Sequence, residues 1–216
     1  MAKASEKRKA QTADQILAAA NAGTLDPLYY FYATVGSGGG QDKRGPDKGK
    51  RSPFNDYLLE QALEAIKQSC VGGKRNDFNF NAFIASETSM DKVLAVAQTY
   101  PMMAKRRLVI VKDAQDFRAD DWRIAERYFK NPAPTTCLVL VGEHLPTRNK
   151  GGEAAKALVE STASCVAFTP FFRKNELLPY LARELKSRGL SFQRDAEALL
   201  LDLLGFDLNE LCGALD

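Results

Sequence analysis

The sequence predicts an α/β fold: a five-stranded parallel sheet flanked by helices on both faces, followed by a unit of helices only. Two observations predict it. From Leu28 to Phe168, short dense apolar runs alternate with stretches of helical periodicity, as in strand–helix–strand units. After Phe168 the strand-like runs stop and only helical periodicity remains. The 216-residue length suffices for a full core in one large domain, or one domain plus a small one. We expect an α/β domain over residues 1–169 and a helical domain over 170–216.

Residues 12–21 read as a short helix with Thr12 as cap and Gly23 as stop. Leu28 to Ala33, Leu-Tyr-Tyr-Phe-Tyr-Ala, reads as a strand buried on both faces. Ser52-Pro53 offers the start of a second helix, whose apolar face is Leu58, Leu59, Ala62, Leu63 and Ile66. Phe78–Ala85 is the next strand. A helix over 93–100 follows, with Val93, Leu94, Val96 and Ala97 on its apolar side. Leu108–Val111 is a third strand of the buried type. Asp120 or Asp121 opens a helix that Asn131-Pro132 ends, and those two carboxylates read as caps. Cys137–Val141 and Cys165–Phe168 are the last strands, separated by a helix over Glu153–Glu160.

In the helical unit, Leu177, Leu178, Leu181 and Leu185 line one helix closed by Gly189, with Pro179 in its first turn. Asp195 reads as the cap of a second helix, which Gly205 stops. Asp207 and Glu210 have capping-box spacing for a third. That third helix is expected to expose Leu208, Leu211 and Leu215, which suggests a fragment of a longer protein.

Composition narrows the function classes. Apolar content of 45% and charged content of 26% are those of an ordinary globular chain, and a net charge of +3 is too weak to argue for a nucleic-acid binder. Cys70, Cys137, Cys165 and Cys212 form no C-x-x-C pair and read as reduced core thiols of a cytoplasmic protein. With His144 as the only histidine, zinc-ligand spacing is absent. No apolar run approaches the roughly 18 residues of a membrane span. Residues 1–10, with Lys3, Lys7, Arg8 and Lys9, read as a solvated tail.

Two motifs come close to nucleotide chemistry. The stretch from Val35 to Arg51 holds Gly36, Gly38, Gly39, Gly40, Gly45 and Gly49 among five basic residues, and should be mobile. It lies between the first strand and a helix, where a phosphate loop would lie. Yet only three residues separate Gly45 from Gly49, and Arg51 stands where the motif wants Ser or Thr. Backbone N–H groups and the hydroxyl must converge on phosphate and Mg²⁺ in a fixed register, and that register is broken here. The second motif is Glu143, an acid directly after the strand Leu138 to Val141. It is followed by His144 rather than by a second acid, so a metal reading is weak. An NTPase with an atypical loop and a DNA-binding module using the basic stretch are the alternatives. Nothing forces an enzyme reading.

The most informative stretch is Tyr100-Pro101-Met102-Met103-Ala104-Lys105-Arg106-Arg107, leading into the third strand. Pro101 disfavours helix at Tyr100, which leaves Met102 and Met103 on a helix end or tight connection. Methionine suits surfaces that fit a partner's pocket. The competing reading is that both fill gaps in the core.

These segments resemble the δ subunit of the bacterial DNA polymerase III clamp loader. The anchors are Pro101 to Val111, Asn131-Pro132, Thr136 to Leu140, Arg148, Lys156-Ala157-Leu158, Gly189-Leu190, Ala196, Leu199, Gly205 to Leu208 and Leu211. The resemblance implies an AAA+-like, P-loop NTPase-type fold: a five-stranded parallel sheet domain, a small three-helix lid, and then a helical collar before which this chain stops. It implies a subunit that hydrolyses no ATP, with no cofactor and no metal, working beside ATPase subunits and δ′ and meeting primer-template DNA indirectly or weakly. In that family an apolar pair inserts into a pocket on the ring-shaped sliding clamp and favours an opened ring interface. Met102 and Met103 fall on that pair. Tyr100 and Pro101 would set its angle, and Lys105, Arg106 and Arg107 would make rim contacts. Three departures stand out: the insertion at about 35–52, methionines where leucine and phenylalanine are commoner, and Ala214 where the family often has an acid.

Overall fold

The computed structural model describes residues 11–33, 54–72, 78–146, 152–171, 173–191 and 193–215. The basic first ten residues, the glycine-rich stretch through Pro53, and Arg148 lie outside the described residues. Strands β1 (Leu28–Tyr32), β2 (Phe80–Ile84), β3 (Arg107–Lys112), β4 (Thr136–Gly142) and β5 (Ser164–Ala167) form one parallel sheet in the order β2-β3-β4-β1-β5. Helices α1 (Ala13–Ala22), α2 (Asp56–Val71), α3 (Met90–Ala97), α4 (Ala119–Lys130) and α5 (Gly152–Thr162) cover it, and α6 (Lys174–Ser187), α7 (Arg194–Leu204) and α8 (Leu208–Gly213) follow.

Side-chain alternation along the central strands splits the core in two. Tyr29, Phe31, Leu108, Ile110, Cys137 and Val139 face one side, where Ile16 of α1, Ala62 and Ile66 of α2, and Leu177, Leu181, Leu208 and Leu211 meet them. Leu28, Tyr30, Val109, Val111, Leu138 and Leu140 face the other, against Val93 of α3, Trp122, Ala125 and Phe129 of α4, and Val159 of α5. Each such side chain contributes about 1.5–3 kcal/mol when fully buried. Central strands buried on both faces explain why their sequences read as unbroken apolar runs. Close approach also dictates Gly142, where an added Cβ would lie 2.5 Å from the Tyr30 hydroxyl.

Several expected boundaries hold. Thr12 and Gln15 form a reciprocal capping box at α1, and Gly23 closes that helix in the left-handed region at φ 69°. The Asp207 carboxylate accepts the Asn209 N–H at 2.9 Å ahead of α8. Others shift. The cap of α2 is Asn55, whose side chain accepts the Leu58 N–H at 3.3 Å, rather than Ser52. Gln193, not Asp195, occupies the N-cap position of α7. Helix α6 begins at Lys174, which places Pro179 in the second turn rather than the first. Leu208 and Leu211 are buried rather than exposed, because α2, α6 and α7 supply the apolar surface that a short terminal helix cannot provide by itself.

Candidate functional site

The stretch between α3 and β3 is built from carbonyls that need partners. A helix end leaves its last C=O groups unpaired, and α3 ends at Ala97, before the Tyr100 expected from the proline. The Thr99 hydroxyl donates to Ala95 C=O at 2.9 Å and the buried Thr136 hydroxyl to Ala97 C=O at 2.7 Å. Arg107, the first residue of β3, reaches the rest. Its Nε donates to Thr99 C=O (3.1 Å), Nη2 to Tyr100 C=O (3.4 Å), and Nη1 to both Phe78 C=O (3.1 Å) and Asn81 Oδ1 (3.0 Å). A guanidinium suits this place for two reasons. Its planar fork matches several acceptors at once. The C-terminal end of a helix carries partial negative charge that favours a cation.

Asn79 completes the frame. Its Oδ1 accepts the Met102 N–H at 2.6 Å while its Nδ2 donates to the Met102 C=O at 2.9 Å. Asn79 is 3% and Arg107 5% exposed, so the polar groups that hold this connection lie on its inner side. The large apolar side chains are left outside: Met102 is 64% exposed, and Met103 and Tyr100 stand almost wholly in solvent. Met103 also adopts φ 52°, in the left-handed region that costs a non-glycine residue on the order of 1 kcal/mol. The core-filling alternative for the methionine pair is therefore excluded.

The other expected site residues divide. Pro101 is half-buried at the foot of the turn and Lys105 is exposed. Arg106 is half-buried, and its Nη1 is enclosed without a hydrogen-bond partner. Arg107 was expected on the rim, but burial and its four hydrogen bonds make it an internal strut instead. Sequence reasoning missed Phe78 and Asn79. The run Phe78-Asn79-Phe80-Asn81 suggests rings inward and amides outward, yet Phe78 is 83% exposed and Asn79 is buried. No sequence signal announces that inversion, which depends on a backbone partner distant in the chain.

The two nucleotide-like features gain nothing. The glycine-rich loop lies outside the described residues. Glu143 is exposed just past β4, with its backbone N–H donating to Gln115 Oε1 at 3.0 Å. Among the described residues, no group of three or more His, Cys, Asp or Glu side chains is placed to hold a metal ion. All four cysteines are buried and none forms a disulfide, as expected. The hydrogen bond that the Cys137 thiol donates to Cys70, together with burial, pushes Cys137 well above its ordinary value, which keeps it neutral. Among the described residues, no helix is long and apolar enough to cross a membrane.

A family model described as "DNA polymerase III, delta subunit" matches residues 54–168, a span that contains the whole connection from α3 to β3. The chain belongs to the DNA polymerase III delta subunit family. A curated DNA polymerase III subunit delta from Bacillus subtilis (strain 168) is 34% identical over 110 residues, covering 46% of this chain and 32% of that protein. A solved structure of the Bacillus subtilis DNA clamp loader delta protein superposes with TM-score 0.68 at 22% identity, over 94% of this chain and 55% of that one. That likeness shows the fold, which is AAA+-like. The matches thus span about a third of the curated delta relative and just over half of the solved one. That family belongs to DNA replication, as the delta subunit of DNA polymerase III.

Proposed function

We propose that this chain docks on the ring-shaped sliding clamp by inserting Met102 and Met103 into an apolar pocket, and that docking favours an opened ring interface. The chain itself catalyses nothing in this reading. ATP hydrolysis belongs to partner subunits, δ′ completes the assembly, and primer-template DNA is met only indirectly or weakly. Tyr100 and Pro101 set the angle of the pair, and Lys105 lies at the rim with Arg106 at its base. The division into an α/β domain to residue 169 and a helical lid over 170–216 belongs to the same proposal.

One observation carries it: two adjacent flexible apolar side chains stand in water on a backbone pinned from beneath by Asn79 and Arg107. Exposed methionines have apolar area to lose on binding, at about 25 cal/mol per Å². A pinned backbone lowers the ordering cost that association otherwise carries. Thioether chains adapt to a pocket shaped for other residues.

The test is the double variant Met102→Ala/Met103→Ala against the sliding clamp of the same organism. Central apolar anchors are each worth about 2 kcal/mol or more, so affinity should fall by at least about a hundredfold. The thermal midpoint should stay that of the parent chain. Unchanged affinity in a folded double variant would remove the reading.

A further inference from the structure

Phe78 stands in solvent directly before β2, beside the methionine turn rather than within it. At consecutive positions the ring is outside and the amide of Asn79 is inside, the reverse of what solvation favours for an unpartnered pair. The backbone explains the arrangement. Asn79 reads Met102 in both directions, accepting from its N–H and donating to its C=O. Arg107 ties the same two segments again, with one guanidinium holding the carbonyls of Phe78, Thr99 and Tyr100. Phe78 and the methionine turn are thus fixed in register by two buried side chains, and both present apolar groups outward.

We propose that the clamp-docking surface is composite, with Phe78 as a third apolar anchor beside Met102 and Met103, and with Asn79 as the positioning residue that joins the two segments. The proposal rests on the clamp-docking reading above and commits to the same occupant, the apolar face of the sliding clamp. Two arguments place that occupant over Phe78. First, Phe78 is continuous with the methionine turn through Asn79 and Arg107, so a partner that covers one borders the other. Second, a stable interface covers about 800 Å² on each partner, more than a methionine pair and one tyrosine offer. An aromatic ring on the adjacent segment extends the dry centre, where anchors act. The exposed Lys105 belongs to the wetter rim.

The experiment is equilibrium binding to the purified sliding clamp, with thermal unfolding measured on every variant. Phe78→Ala should weaken binding about tenfold at an unchanged thermal midpoint, and Phe78→Leu should recover most of the loss. Asn79→Ala should weaken binding of the parent chain severalfold, and have a much smaller effect in a Met102→Ala chain, because the anchor it positions is already gone. An Asn79 that served only the fold would weaken both backgrounds equally. Parent-like affinity in Phe78→Ala, with binding lost in Met102→Ala/Met103→Ala, overturns this proposal and leaves the docking reading standing. Full affinity in the methionine double variant overturns both. Equal losses from Asn79→Ala in the two backgrounds overturn its positioning role.

Discussion

Met90 and the Met102–Met103 pair flank the same helix and have opposite fates. Met90 opens α3 and is completely buried, surrounded by the second-face core of Val93, Val109 and Trp122. Its backbone N–H donates to Asp121 Oδ1 at 3.3 Å, while the other oxygen of that carboxylate accepts the Arg118 N–H at 3.0 Å. Beyond the far end of α3, Met102 and Met103 point into water. Residue type does not separate these methionines. The difference lies in what occupies the inner side of the backbone. At Met90 that space is apolar, and the side chain fills it. At Met102 it is taken by Asn79 and Arg107, whose hydrogen bonds would be lost if a thioether replaced them.

The sharpest way to break this comparison is Met90→Ala. A buried methionine cut to alanine should cost about 2–5 kcal/mol in urea unfolding, while the folded fraction binds the clamp as the parent does. That is the mirror of the methionine double variant, which should keep stability and lose binding. Stability untouched by Met90→Ala would dissolve the contrast. Next in size is Arg107→Lys, which replaces a four-bond fork by one ammonium and should cost about 2–3 kcal/mol in the same measurement. Asp121→Ala removes one carboxylate serving two helix starts, and a loss of about 1–2 kcal/mol is expected. Met103→Gly relieves the φ 52° backbone and should leave stability unchanged or raised by up to about 1 kcal/mol, while clamp affinity drops about tenfold. A fall in both would show Met103 serving the fold. The smallest effect belongs to Lys105→Ala, within about threefold in affinity and read mainly as a slower, less salt-sensitive association rate.

Much of the fold was legible because it depends on local signals. Runs such as Leu28 to Tyr32 and Cys137 to Val141 name strands sealed on both sides, and Thr12, Gly23 and Asp207 mark helix limits by their own chemistry. Legibility fails where two local signals compete or a distant partner decides. Ser52-Pro53 offers a helix start by its own chemistry, but α2 begins after Asn55, whose side chain accepts the Leu58 N–H. Pro101 restricts Tyr100 but cannot say that α3 stops earlier, at Ala97, where the Thr136 hydroxyl waits. The site was half legible. The methionine pair could be found from residue type and the proline before it. Arg107, read in line with Lys105 and Arg106, looks like surface until its carbonyl partners from two segments are known. Phe78 reads as the first residue of a strand until Asn79 is seen to hold Met102.

All five strands run in one direction, and Phe78 and the methionine turn both lie ahead of the amino ends of β2 and β3. Any load applied to that turn enters β3 through Arg107 and travels lengthwise along six residues, about 20 Å of hydrogen-bonded ladder. Such a ladder is stiff along its axis. The methionine turn at the amino ends of the strands and the cleft lined by Ala85, Gln115 and Glu143 at their carboxyl ends are thus joined by one continuous hydrogen-bonded strand.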